Sequence, residues 1–393
     1  MKKIAVVGGG PAGLFLALLA RNRLGADVEV WEQNPNDATF GFGVIVAEGG
    51  HSKLRDADPE AADAIAAASF MTRDREIRLN GESLVIEGGP WGGAIARIRL
   101  LNVLQELCET RGIRLHYGSR IENPDRQLDA DLIVGADGVN SVVRKAYEGQ
   151  FGATSWSLTS RMAWYGTTRH FPSPILSFRT TEHGNFWCVG YPYAEGLGTF
   201  VAECDAEAWI RSGMNRMTME ERRVFSEQIF AEELAGHPIL SNRSDWNALP
   251  VMRCAHWSVG HRVLIGDALH SPHPSIGSGT RIAMEDAIAL VEALERRPGD
   301  VRLALESFQQ RHEPKKRRMV DAMEKSFLWY ENVGEKLARL DLVDLAIDYM
   351  LRTGRLDAER MRAEYPDFMA KHGARLEAYG QGEARAAAVP EEL

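Results

Sequence analysis

The chain has 393 residues, is 45% hydrophobic and 26% charged, and carries a formal net charge of -9 at pH 7. This length predicts roughly two or three domains with an ample core, and the acidic balance argues against a nucleic-acid partner and an anionic membrane surface. No stretch approaches the roughly 18 apolar residues of a membrane span, and Cys108, Cys188, Cys204 and Cys254 show no CxxC spacing, so the expectation is a cytoplasmic protein with reduced thiols and no metal site.

The opening residues to Val7 read as a buried parallel strand. Gly8-Gly9-Gly10-Pro11-Ala12-Gly13 then supplies G-x-G-x-x-G, and Leu14 to Arg23 continues as a helix, with Pro11 at a first turn that has no N–H bond to lose. The apolar run from Gly13 to Ala20 follows a strand and a glycine turn and flows into a second strand, so it does not read as a leader. That second strand, Val28 to Trp31, delivers Glu32 nineteen residues after Gly13. Together these pieces form a dinucleotide fingerprint: the glycines allow a tight turn and close pyrophosphate approach, and the acid meets ribose hydroxyls.

An Ala-rich helix is predicted from Pro59 to Ala68, and Glu76 to Ile86 reads as a hairpin turning at Asn80-Gly81 in a type I′ turn. Arg99 to Thr110 follows as a helix and Arg114 to Tyr117 as a strand. Asp131 to Val134 is a strand ending in Gly135-Ala136-Asp137-Gly138, after which Ser141 caps a helix carrying Arg144. Between 160 and 205 the character changes. Aromatic and β-branched segments around Phe178, Phe186-Trp187 and Phe200-Val201 are joined by glycine turns, as in an antiparallel sheet. Met217 to Leu234 is helical. Val263-Leu264-Ile265 is a short buried strand ending in Gly266-Asp267; a turn with Pro272 and Pro274 leads to Gly277-Ser278-Gly279, which opens a helix through Ile282, Ala283, Ala287 and Leu290. Such a helix start offers unpaired N–H groups and a positive dipole end to an anionic or electron-rich ligand. Val301 to His372 is largely helical, and the tail from Gly380 to Leu393 is expected to fray.

GGGPAG with Glu32, GADGVNSVVR from Gly135 to Arg144, and GDALHSPHPSIGSG from Gly266 to Gly279 resemble, in this order, the three motifs of the group A flavin-dependent aromatic hydroxylases with the p-hydroxybenzoate hydroxylase fold. The resemblance spans about residues 1–330. It departs at Ser278, where the family often has Gln, and at Leu269, where Ala is usual. It implies an α/β fold: a Rossmann-like FAD-binding domain, discontinuous over 1–75, 90–160 and 250–330, with an inserted antiparallel β-sheet substrate domain (76–89 and 161–249) and a helical carboxyl-terminal region (331–393). The inserted sheet is expected to wall a ligand pocket. Thr39 to Val44, Thr181-Glu182-His183-Gly184 with Tyr191-Pro192-Tyr193, and Ser275 to Thr280 before Ala283-Met284-Glu285-Asp286-Ala287 are similar to the aromatic acyl-CoA hydroxylases, that is, salicylyl-CoA 5-hydroxylase and the monooxygenase part of 2-aminobenzoyl-CoA monooxygenase/reductase. The violacein-pathway hydroxylases share part of this pattern.

Carried over residue by residue, the resemblance implies that Gly8, Gly10 and Gly13, with Pro11 and Ala12 in the same turn, approach the FAD pyrophosphate and that Glu32 holds the adenosine ribose. Arg97, or alternatively Arg99, would meet the diphosphate side. Asp137 would lie near FAD and the nicotinamide donor, and Asp267 at the ribityl-diphosphate region. Pro274 would line the pocket beside the flavin ring, with Gly277, Ser278, Gly279 and Thr280 at flavin N1 and O2. The implied reaction consumes NADH or NADPH and O2 and hydroxylates an electron-rich aromatic ring through a flavin C4a-hydroperoxide, with water excluded by an apolar wall for which Phe186, Trp187 and Tyr191 are candidates. His183 and His270 are the candidate acid–base groups, with His273 and His51 behind them. The basic run Lys315-Lys316-Arg317-Arg318 reads as a solvated helix face, with CoA phosphates as the alternative partner. The substrate is either an aromatic acyl-CoA or a free aromatic acid or indole-type intermediate. A halogenase would need W-x-W-x-I-P, which Met162-Ala163-Trp164-Tyr165 does not provide. A flavin reductase or dehydrogenase that does not use O2, and a non-enzymatic FAD-binding protein, remain as rival readings.

Overall fold

The computed structural model describes residues 3–38, 41–242, 244–271 and 273–387; Thr39, Phe40 and Pro272 from the motifs above, and the last six residues of the tail, lie outside the described residues. Contacts divide the chain into two units, 1–70 with 92–158 and 248–320, and 71–91 with 159–247 and 321–393.

In the first unit, Lys3–Val7 lies centrally in a six-stranded sheet ordered Ser258–Val259, Arg262–Leu264, Leu132–Gly135, Lys3–Val7, Asp27–Trp31, Arg114–His116. All neighbours are parallel except the short hairpin of Ser258–Val259 with Arg262–Leu264. The nearly continuous apolar runs of the inner strands fit burial on both faces: Ile4 to Val7 and Leu132 to Val134 are all buried. The chain leaves Lys3–Val7 toward Asp27–Trp31 on one side and resumes on the other at Leu132–Gly135. The carboxyl ends of these two strands therefore form a topological switch point, where open α/β sheets bind ligands. Pro11–Leu24 follows the first strand as a helix buried over its first ten residues and stopped by Gly25 in the left-handed region. Gly279–Arg296 packs against it as a second helix. Two small sheets complete the unit, one pairing Gly43–Ala47 with Gly92–Ala96 and one joining Ala153–Ser157, Pro250–Cys254 and His270–Ser271.

The second unit is built on a seven-stranded sheet ordered Ile239–Leu240, Arg161–Thr167, Leu197–Cys204, Gly184–Ala194, Ile175–Thr181, Arg75–Leu79, Glu82–Ile86. It is antiparallel apart from the parallel pair Arg75–Leu79 and Ile175–Thr181. The hairpin turn at Asn80 and Gly81 has φ of 49° and 92°, the positive pair that a type I′ turn requires. One core gathers Tyr165, Phe186, Phe200 and Phe230 with Ala208 and Leu234. A second gathers Ile77, Phe178 and Trp187 with Trp329, Tyr330, Leu345 and Phe368. The carboxyl-terminal helices, expected as a separate region from 331, thus share a core with the sheet. Their last helix, Pro366–Ala387, continues past Gly380, where fraying was expected; Ala, Glu and Arg in that stretch are strong helix formers.

Among the described residues no helix is long and apolar enough to cross a membrane, and no group of three or more His, Cys, Asp or Glu could hold a metal ion.

Candidate active site

Gly8, Glu32, Asp137 and Asp267 all follow the carboxyl ends of adjacent parallel strands. Gly8 has φ +107°, and a Cβ there would stand 2.4 Å from the Ala136 carbonyl oxygen; a Cβ at Gly13 would stand 2.1 Å from the Gly8 oxygen. These two glycines therefore serve the fold, letting the first strand, its helix and the Ala136-Asp137 turn converge. Gly10 is different, because a Cβ there would meet nothing within 4 Å. It is the N-cap of Pro11–Leu24 and has no side chain to satisfy the helix's first N–H groups, which leaves them for an anion. The Glu32 carboxylate lies alongside, accepting from the Gly9 N–H at 2.8 Å and from Asn34 N and Nδ2 at 2.9 and 2.7 Å.

Asp137 uses one oxygen to accept from the Val142 N–H at 2.6 Å, while its buried Oδ1 has no partner among the described residues. Burial raises this carboxyl above its usual range, against hydrogen bonds from Ser141 and the Val142 N–H. Ser141 caps Val142–Ala146 as expected, accepting from Arg144 N at 3.0 Å. Arg144 points back into the protein, donating to the carbonyls of Ala268 and Val139. It ties the second motif to the third.

Arg97 opens the helix Arg97–Thr110 two residues earlier than the sequence predicts, because its N–H donates to the Phe42 carbonyl at 2.7 Å. Burial lowers its pKa, while the charges of Asp267 and Glu32 act to raise it. Among the described residues neither carboxylate closes an ion pair with it. Arg99, the alternative, is exposed and pairs with Glu106 at 3.6 Å. Asp267 sits in the 3-10 turn Gly266–Ala268. It is reached by solvent yet crowded enough that desolvation raises its carboxyl to about 6 against Arg97 and Lys316.

Pro274–Ile276 forms one further 3-10 turn, closed by Gly277 at φ +59°, where a Cβ would press to 2.9 Å from Ile45 Cδ1. Ser278 precedes the helix Gly279–Arg296 but does not cap it: its Oγ donates back to the Ile276 carbonyl at 3.1 Å. The first N–H groups, from Gly279 and Thr280 onward, are left without an intrahelical acceptor at the positive end of an 18-residue helix. The residues present fit FAD: open space at Gly10, an orphaned buried oxygen on Asp137, an unpaired Arg97 and a second uncapped helix start.

The histidines are elsewhere in character. His270 pairs across strands with Arg253, and its Nδ1 lies 3.2 Å from the Gly266 carbonyl; burial and Lys316 push it down to about 3. It is a neutral brace of the Gly266 turn. His183 lies in the hairpin between Ile175–Thr181 and Gly184–Ala194, with its ring 6.2 Å from that of Phe225. The Phe186 ring lies 6.1 Å from the same phenyl ring. His273 accepts from Ser275 N at 3.1 Å, and His51 is buried on Glu48–Ala57.

Phe186 and Trp187 cannot both wall one pocket, because neighbours on a strand face opposite sides. Phe186 enters the core with Phe200 and Phe230, and Trp187 stacks on Tyr330 at 5.7 Å in the other. Lys316 is buried with its Nζ 2.6 Å from Asp286, so the basic run is not one solvated face. Glu203 belongs to none of the three sequence motifs. It is buried opposite Trp187 in register, and burial, with the Glu331 charge adding and Trp187 opposing, raises it to about 8. The signal was available: Phe200, Ala202 and Cys204 alternate inward, which places Glu203 on the other covered face with Val201.

Comparison with known proteins matches residues 100–322 to a family described as FAD binding domain. A salicyloyl-CoA 5-hydroxylase of a Streptomyces species is 35% identical over 348 residues, covering 86% of this chain and 67% of the relative. A 3-hydroxy-4-methyl-anthranilyl-(aryl-carrier protein) 5-monooxygenase of Streptosporangium sibiricum is 35% identical over 75% of this chain and 80% of its own length. Among solved structures, 2-methyl-3-hydroxypyridine-5-carboxylic acid oxygenase shares the fold with a TM-score of 0.68 at 21% identity, covering 93% of this chain and 96% of that one.

Proposed function

The chain belongs to the family of FAD-dependent aromatic monooxygenases, and on that premise we propose that it hydroxylates an aromatic acid presented as a thioester. The observation that carries this reading is that two relatives, each 35% identical, are named for thioester-linked aromatic acids, one on CoA and one on an aryl-carrier protein.

When bound, FAD supplies the reduction by NADH or NADPH and the activation of O2 that oxygen insertion needs. The chain's own part is binding and tuning. The N–H groups after Gly10 would take the pyrophosphate, and Glu32, fixed by three hydrogen bonds, would orient the adenosine ribose. Arg97 and Asp267 would meet the diphosphate and ribityl region, exchanging their mutual field for direct contacts. Asp137 would offer its free Oδ1 there. Gly277, Ser278, Gly279 and Thr280 would present N–H groups to the pyrimidine edge of the ring, where preorganised donors stabilise developing negative charge. Pro274, exposed on its turn, would lie beside the ring. His270, kept neutral by burial and by Lys316, would set the shape of the Gly266 turn through its Nδ1, while its buried Nε2 meets no partner among the described residues.

The test measures NADH and NADPH oxidation, O2 uptake and product mass with salicylate, anthranilate and their CoA thioesters. Oxygen-dependent formation of a product one oxygen heavier from the thioesters is expected. Turnover of the free acids alone would overturn the thioester reading and leave the hydroxylase intact.

A further inference from the structure

Outside the cofactor turn, the first unit carries a groove of ≈ 640 Å³ between the helix Gly279–Arg296 and the helix Val301–Glu331, continued by a smaller hollow of ≈ 70 Å³. Its lining mixes polar and apolar groups, the apolar ones being Ile282, Ile288, Ala289 and Met319 in the groove and Ala293 and Phe308 in the hollow. Its near end, Ile282, is one turn from Gly279. From there to Glu292 the groove runs about 15 Å along the helix at ~1.5 Å per residue.

The charges along it are unevenly matched. Lys53 pairs with Glu285 at 3.1 Å, Arg296 with Glu292 at 2.9 Å, Arg23 with Glu295, and Lys316 with the buried Asp286. Arg311, Lys315 and Arg318 also line the groove and hollow. Spaced i, i+4 and i+7, they fall on one stripe of their helix. None of the three closes an ion pair or hydrogen bond with any described residue, and Asp56 is the one lining carboxylate left to face them. In a chain of net charge -9, three cations without a described partner beside a partly apolar lining form a local field suited to a phosphate-bearing ligand with a less polar linker. The run Lys315-Lys316-Arg317-Arg318 is thereby divided: Lys316 turns inward, Arg317 pairs with Glu313 at 3.2 Å and does not line the groove, and Arg311 joins from one turn earlier.

We propose that this groove holds the phosphate-bearing tail of a CoA thioester, with Arg311, Lys315 and Arg318 on its phosphates and the apolar side chains Ile282, Ile288, Ala289 and Met319 against its pantetheine linker. The proposal rests on the thioester reading above, and its test separates the two. Salicyloyl-CoA and salicyloyl-pantetheine, which lacks the phosphates, are compared as substrates of the FAD-loaded enzyme, and binding of free CoA is followed by calorimetry at low and high salt. The triple variant Arg311→Glu/Lys315→Glu/Arg318→Glu is expected to raise the ratio of KM for the CoA thioester to KM for the pantetheine thioester by about ten-fold or more. CoA binding should weaken in the same variant and, in the parent, with rising salt. The milder Lys315→Ala/Arg318→Ala should move the ratio the same way, and Arg317→Glu should leave it where it is. Normal FAD occupancy establishes that each variant is folded. An unchanged ratio in the triple variant, with CoA thioesters still turned over, overturns the groove and keeps the thioester reading. Turnover of a carrier-protein thioester but not of the CoA thioester also overturns the groove. Turnover of free acids alone, with no CoA bound, overturns both.

Discussion

A methyl group added at Gly13 would lie 2.1 Å from the Gly8 oxygen, whereas one added at Gly10, whose φ is -77°, would meet nothing within 4 Å. The two glycines of one motif therefore answer to different constraints, and substitution separates them. Gly13→Ala must push the helix off the strand, and overpacking of this kind costs about 3 kcal/mol. The expected result is a thermal midpoint several degrees lower in the FAD-free protein. Gly10→Ala replaces an acceptable N-cap by a poor one at a cost of about 1 kcal/mol, so the FAD-free midpoint should fall by clearly less than in Gly13→Ala. Its methyl group fills the space through which a pyrophosphate would approach the helix, and the dissociation constant for FAD, read by flavin fluorescence, should rise about ten-fold or more. Parent-like FAD affinity in Gly10→Ala would show that the pyrophosphate does not approach there.

At the scale of elements, the Gly266–Ala268 turn is held from outside the motif that contains it. Asp286 accepts from the Gly266 N–H at 2.9 Å, from His312 Nε2 at 3.0 Å and from Lys316 Nζ at 2.6 Å. Burial would raise this carboxyl, but Lys316 and His312 outweigh it and hold Asp286 well below its usual range. Burial lowers Lys316 against the same pairing. Breaking such a pair from one side strands a buried charge at about 3–5 kcal/mol. Lys316→Met should therefore lower the thermal midpoint markedly and weaken FAD binding through Asp267. Asp286→Leu/Lys316→Met should recover most of the midpoint but not the FAD affinity, because the Gly266 N–H has then lost its acceptor. Recovery of both would mean the pair does not position the turn. The glycines, prolines and acid of the turn were readable in the sequence because each has a local backbone reason. Its brace was not, since Lys316 lies fifty residues downstream in a run that reads as solvated. Helical geometry held the clue: Phe308, His312 and Lys316 share one stripe at i, i+4 and i+8, and the first is fully buried.

For the molecule as a whole, the sequence shows two sheets of opposite character and the interruption of one by the other, because parallel buried strands and aromatic antiparallel strands differ in pattern. It does not show that the carboxyl-terminal helices close a core against the second sheet, a non-local pairing of Phe178 and Trp187 with Trp329 and Tyr330. That closure has a consequence for the pH range of stability. Glu203 lies on the face covered by those helices, opposite Trp187 in register, with Tyr330 and Glu331 of the helix Val301–Glu331 as its ionisable neighbours. Burial raises it from 4.5 to about 8. Between those values the folded chain holds a proton that the unfolded chain has released, so this carboxyl lowers stability progressively as pH rises from about 4.5 to about 8, and no further above that. Each unit of pH in the window is worth at most ~1.4 kcal/mol, which makes the full effect a few kcal/mol at most. Other groups titrate in the same range, Asp267 among them, so the informative quantity is the difference between the parent and Glu203→Gln. That variant keeps the shape and removes the ionisation. Its thermal midpoint should lie close to the parent's at pH 5 and several degrees above it at pH 8. An advantage of equal size at both pH values would mean that Glu203 is ionised in the folded protein throughout, and that the Trp187 face tolerates its charge.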